Sequence, residues 1–158
     1  MDAATFSTEA IMFKHILVPT DFSEPAQHAL DIAVDLAKKD AAALTLLHTY
    51  DSPVYPYAGL PPIPSDFIGP IRDAAERSLN AALAELQKRF PAAKSALAYG
   101  VAWQQILQLA KDAGADLIVM GTHGRRGLSH ALLGSVAEKV VRLSEIPVLT
   151  TRGAAPSK

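Results

Sequence analysis

The chain contains no cysteine, which excludes disulfides, thiolate metal sites and a cysteine nucleophile together. It has no excess of either charge: 15 Lys and Arg against 16 Asp and Glu leave a net charge of −1. That balance gives no electrostatic case for nucleic acid or an anionic membrane as partner. No apolar run approaches the roughly 18 residues needed to cross a bilayer. The N-terminus carries Asp2 and Glu9 and no early basic cluster, which is not a signal-peptide pattern; a cytoplasmic protein is the expectation. No Lys-Ser or Lys-Thr follows a glycine, so the Walker A loop is missing. There is no Gly-x-Ser-x-Gly elbow, and no His-x-x-x-His spacing that would mark a metal site. His15, His28 and His48 fall on different elements, and His130 reads as a surface residue.

At 158 residues, with 49% apolar and 20% charged residues, one globular domain is the natural reading. The stretch that organises it is Gly121-Thr-His-Gly124-Arg-Arg-Gly127-Leu-Ser-His-Ala-Leu-Leu-Gly134-Ser135. Before it, Leu117-Ile-Val-Met120 reads as a buried strand; after it, Val136 to Val141 reads as an amphipathic helix. A glycine-rich turn from strand to helix can aim several backbone N–H groups at one point, with the positive end of a helix behind them, and so hold phosphate. These residues also fit a plainer reading. Ser135 and Glu138 form the Ser-x-x-Glu capping-box pattern, and the loop would then only lead into a capped helix.

In chain order, residues 1–12 show no period and read as an extension, residues 13–152 as the domain, and 153–158 as a tail. His15 to Pro19 is a short strand. Ser23 is placed to cap a helix with Pro25 in its first turn, and Ala26, Leu30, Ala33 and Ala37 mark its buried stripe. Ala43 to Thr49 is a second strand. Asp51 to Phe67, with five prolines at 53, 56, 61, 62 and 64, reads as a long connection of the kind that serves as a lid or a variable surface loop. Ile71, Ala75, Leu79, Leu83, Leu86 and Phe90 mark a long helix, stopped by Pro91. Ser95 to Tyr99 is a weaker strand. Trp103, Ile106, Ala110 and Ala113 make a third helix, ended by Gly114 as cap. Asp116 to Met120 is the fourth strand. The last helix runs to about Ser144, and Pro147 to Thr151 is the final strand.

Five strands alternating with four helices argue for an α/β domain around a parallel sheet. Helices on both faces require the strand order to reverse somewhere, and ligands bind beyond the strand C-termini at that reversal. If the first and fourth strands flank it, Pro19-Thr20-Asp21 and the loop from Gly121 face each other. The glycine loop and the helix start at Ser135 suit phosphate, with Arg125 adding charge and His123 a donor. Asp21 suits sugar hydroxyls, because a carboxylate repels phosphate; an Asp at a strand end is also a common turn former. His48 and Thr49 are placed to wall a base.

Three segments then resemble the universal stress protein family: Ile16-Leu-Val-Pro-Thr-Asp-Phe-Ser23, Leu46-Leu-His-Thr49, and Leu117-Ile-Val-Met-Gly-Thr-His-Gly-Arg-Arg126 (read with Leu132-Leu-Gly-Ser-Val136). The family's nucleotide-binding branch is marked by Gly-x2-Gly-x9-Gly-Ser/Thr, unbroken here at Gly121, Gly124, Gly134 and Ser135. The resemblance implies an open five-stranded parallel sheet in the order 3-2-1-4-5, helices on both faces, and ATP lying across the first and fourth strands. By it, Pro19, Thr20 and Asp21 meet the adenosine, and Thr49 touches adenine in place of a common Val. Met120, Gly121, Gly124, Gly134, Ser135 and Val136 form the base edge and phosphate cradle, with His123 and Arg125 beside them. Magnesium would ride on the phosphates, and two copies would pair through the last strand, Val148 to Thr151. The function so implied is a nucleotide-responsive stress module without dedicated catalysis; the alternative is a slow ATPase or nucleotidyl-transferring enzyme on the same scaffold.

Overall fold

The computed structural model of the chain describes residues 12–51, 65–122 and 133–153. Among them, strands and helices alternate from end to end: β1 (His15–Thr20), α1 (Glu24–Asp40), β2 (Ala43–Tyr50), α2 (Ser65–Arg89), β3 (Lys94–Tyr99), α3 (Ala102–Asp112), β4 (Leu117–Gly121), α4 (Ser135–Leu143) and β5 (Val148–Thr151). The strands form one sheet in the order β3-β2-β1-β4-β5, and every adjacent pair is parallel. The chain therefore reverses its direction of growth between β1 and β4, as the resemblance implied.

Strand alternation sorts the core into two layers. Ile16, Val18, Leu44, Leu46, Leu117 and Val119 pack on one face with Ala29, Leu30, Ala33, Val34 and Ala37 of α1 and with Leu79 and Leu86 of α2. Leu17, Leu47, Ile118 and Met120 pack on the other with Ile106 and Ala110 of α3 and Ala137 and Val140 of α4. The central strands are buried on both sides, which is why they read as unbroken apolar runs. Ser23 caps α1 as expected, its hydroxyl accepting from the Ala26 N–H at 3.4 Å. Gly114 follows the α3 cap Ala113 in the left-handed region at φ 64, the usual place for glycine past a helix end.

Two expectations need correction. The long connection was expected to reach Phe67, yet α2 already begins at Ser65 and carries Pro70 inside it; residues 52–64 lie outside the described part. An interior proline costs one backbone bond, a loss that a helix of 25 residues absorbs. The capping box at Ser135 does not form either. Gly134 is the N-cap, Ser135 is already helical, and no described side chain caps α4. Glu138 pairs instead with Arg142, one turn on, at 3.3 Å.

The end of the sheet away from the strand C-termini is tied by Asp116, which precedes β4. Its two carboxylate oxygens accept the backbone N–H groups of Lys14 at 2.8 Å and His15 at 2.9 Å. Burial works to raise its pKa, but the bonds from His15 and Lys14 and the nearby His15 ring outweigh it and hold the carboxyl below its ordinary value. A lowered folded value means the carboxylate stabilises the fold above the ordinary aspartate range, near pH 4, and loses that contribution as pH falls through the lowered value. Asp116→Asn turns an amide NH2 toward one of the two N–H donors, and is expected to cost about 1–2 kcal/mol at pH 7. Urea unfolding at pH 7 and pH 3 checks this: the gap between variant and parent should narrow at pH 3, and an equal gap at both would show that the charge is not what ties the strand.

Candidate functional site

The site expected from the sequence lies where β1 and β4 part. The β1–β2 ladder runs the full strand, from His15↔Ala43 to Thr20↔His48. The β1–β4 ladder stops after Leu17↔Ile118, and Pro19 has no N–H with which to extend it. Where strand order reverses in this way, α/β sheets carry a crevice beyond the strand C-termini.

Pro19, Thr49 and Met120 alternate in step with Leu17, Leu47 and Ile118, so they face the α3–α4 side. Pro19 is buried, and so is Met120, at 5% exposure; the Met120 side chain is part of the core beneath the crevice. Thr49 is half-buried on β2. Thr20 and Gly121 take the opposite face. The Thr20 hydroxyl accepts the Phe22 N–H at 3.0 Å, so it shapes the turn after β1. Gly121 lies against the start of α1: a Cβ there would sit 2.8 Å from the Pro25 carbonyl carbon and 3.0 Å from the Ala26 nitrogen. The first glycine of the motif is thus required for helix–strand contact, on the face of the sheet opposite α4.

Asp21, just past β1, has the turn-forming role an Asp at a strand end suggests. Its Oδ1 accepts the Ser23 N–H at 3.0 Å and also the Ser23 hydroxyl. This fixes the carboxylate at the mouth of the crevice without excluding a ligand role. Phe22 follows with φ 63, a left-handed conformation that is a true outlier for so bulky a residue. Such strain persists where the surroundings over-determine it, and it gathers at functional sites. The surroundings include His48, whose Nδ1–H donates to the Thr20 carbonyl at 2.8 Å and whose ring lies 4.4 Å from that of Phe22.

Across the crevice, α4 begins with no side-chain cap at its N-terminus among the described residues. The N–H groups of Ser135, Val136 and Ala137 have no acceptor inside the helix, and the first intrahelical bond runs from the Glu138 N–H to the Gly134 carbonyl at 2.8 Å. The Gly134 N–H is committed to the Thr122 carbonyl at 2.6 Å, while the Thr122 N–H is held by Thr151 at 2.8 Å. So Gly134 seats the helix end and leaves donation to the residues after it. Ser135 is exposed and Val136 half-buried. His123, Gly124 and Arg125 lie outside the described residues.

Thr122, as the anchor of both α4 and β5, and His48, as the clamp on the β1 turn, are the two residues the sequence did not single out in these roles. The other described histidines are engaged elsewhere: His15 bonds Thr45 and the Ala113 carbonyl, and His28 the Arg152 carbonyl. Among the described residues no group of three His, Asp or Glu could hold a metal ion. A groove of about 350 Å³ between Trp103, Leu107, Leu143 and Ile146 lies at the far end of α4 and takes no part in this site.

Residues 12–152 match the model of the Universal stress protein family. The chain belongs to that family. Universal stress protein YxiE of Bacillus subtilis is 36% identical over 148 residues, 89% of this chain and 100% of that one. Universal stress protein MJ0577 of Methanocaldococcus jannaschii is 31% identical over 157 residues, 90% of this chain and 97% of the relative; its solved structure superposes with a TM-score of 0.76 at 29% identity, covering 92% and 99% of the two chains. Two universal stress proteins that share the fold at 22% identity were solved with nucleotides. One is in complex with cAMP, with a TM-score of 0.68 and coverage of 91% and 100%. The other, from Archaeoglobus fulgidus, is in complex with dAMP, with a TM-score of 0.61 and coverage of 89% and 98%. No described helix of this universal stress protein is long and apolar enough to cross a membrane.

Proposed function

We propose that this universal stress protein binds ATP across the β1–β4 crevice and acts as a nucleotide-responsive homodimer in the cytoplasm. The observation that carries the reading is the N-terminus of α4, uncapped by any described side chain, beside the strand-order reversal. Three N–H groups without helical acceptors, with the helix dipole behind them, suit phosphate oxygens. Ser135 and Val136 would hold the phosphates with Gly134 seating the turn, helped by Gly124, Arg125 and His123. Asp21 would take the ribose hydroxyls, and Pro19 and Thr49 would flank the adenine, with Thr20 and Met120 shaping the floor around them. Magnesium fits only as a passenger on the phosphates, since the described side chains offer it no cluster of their own. When bound, it would neutralise phosphate charge. The cAMP and dAMP complexes of the two distant relatives support an adenine nucleotide as the ligand class. The dimer reading rests on β5, an edge strand that pairs with β4 alone among the described residues, since a bare sheet edge is a template for a second copy.

ATP with magnesium is expected to raise the melting temperature, the linkage being about 2.7 kcal/mol at a hundredfold excess over the dissociation constant. No shift up to millimolar ATP would remove the binding reading. A steady phosphate release lost in Asp21→Ala would move the protein to the alternative, a slow ATPase.

A further inference from the structure

We propose that His48 is a positioning residue, acting from β2 to aim Asp21, and that through it the site tells ribose from 2′-deoxyribose. This rests on the nucleotide reading above and goes beyond it. Asp21 is bracketed by two contacts to one imidazole. The residue before it, Thr20, has its carbonyl held by the His48 Nδ1–H at 2.8 Å. The residue after it, Phe22, packs its ring on the same imidazole at 4.4 Å, tilted by 45°. Because a carbonyl can only accept, Nδ1 is the nitrogen that carries the hydrogen.

The backbone between these two contacts is forced. Phe22 sits at φ 63, where an L side chain is strained, and its N–H turns back to the Thr20 hydroxyl at 3.0 Å. The turn thus needs holding from outside, and His48 grips it on both sides of Asp21. The Ser23 N–H then fixes the Asp21 carboxylate relative to that turn at 3.0 Å. A carboxylate that accepts sugar hydroxyls discriminates only if it is placed to within about 0.5 Å. The accuracy of that placement is set by a side chain on the neighbouring strand.

Titration calorimetry of the full chain with ATP and with 2′-deoxy-ATP, magnesium present, tests this. The parent protein should favour ATP by about tenfold or more, the worth of a hydrogen bond to a charged group. His48→Leu, which has no donor, should reduce the ratio to about twofold, by the same reckoning. His48→Asn carries an amide N–H in the place of Nδ1 and should recover most of the preference. Phe22→Gly, which accepts the left-handed backbone but removes the ring, should narrow the ratio as well, and serves if His48→Leu does not fold. A parent-like ratio in both His48→Leu and Phe22→Gly, or equal weakening of both nucleotides with the ratio kept, would overturn the inference. A parent that binds both nucleotides equally would overturn it and leave ATP binding standing. A parent that binds neither would bring down both readings.

Discussion

Ser135→Pro is expected to leave the apo fold as stable as the parent and to weaken ATP binding by about ten- to a hundredfold. Ser135 is the first helical residue of α4, a position where proline is favoured because its missing N–H had no helical partner and its φ is already helical. Proline also restricts the residue before it to extended backbone. Gly134 is there already, at φ −60 and ψ 153. The substitution therefore removes one N–H from the proposed phosphate cradle and changes little else. Ser135→Ala, which keeps the N–H and loses the hydroxyl, separates the two contributions. Calorimetry of ATP binding and thermal melting without nucleotide give the readouts. An unchanged affinity would place the phosphates away from α4.

Gly121→Val has the opposite signature. It should lower stability without nucleotide by about 3 kcal/mol or more, the upper range for overpacking, and so lower the melting temperature by roughly 6–12 °C at 2–4 °C per kcal/mol for a domain of this size. The cause is the contact a Cβ would make with backbone atoms of Pro25 and Ala26 at 2.8 and 3.0 Å; backbone at the start of a helix cannot step aside as a flexible side chain would. The small-residue stripe of α1, with Ala29, Ala33 and Ala37 fully buried, brings that helix close to the sheet and leaves Gly121 no room. Gly121→Ala should show a smaller loss of the same sign. A parent-like melting temperature in both would mean that α1 does not press on β4 there.

These two glycines of one motif show how far the sequence could be read. The spacing of Gly121, Gly134 and Ser135 pointed to a turn and a helix start; the helix start is there, and most of the turn lies outside the described residues. It did not show that Gly121 serves packing against α1 while Gly134 donates its N–H to Thr122, because both depend on which elements become neighbours. Strand order was likewise out of reach of periodicity alone; alternation of strands and helices gave the class, and the family resemblance gave 3-2-1-4-5. The capping box failed at Ser135 because the chain enters the helix one residue earlier than the pattern assumes, leaving Glu138 free to meet Arg142. Thr20 and Asp21 were read as a unit, yet a strand sends Thr20 to the α1 face, where its hydroxyl serves the turn. The His48 clamp was hidden for a similar reason. Its partners are the carbonyl that ends β1 and a ring in the turn after it, and neither leaves a spacing signature.

The bond from the Gly134 N–H to the Thr122 carbonyl, at 2.6 Å, closes the base of the segment that separates β4 from α4. With Thr122 also fastened to β5 through Thr151, the start of α4 is moored to the sheet by main-chain atoms alone in these two bonds. Evolution, or an engineer, could therefore rewrite the side chain at position 122 while the main-chain bonds keep the helix end in its place, without refashioning the scaffold.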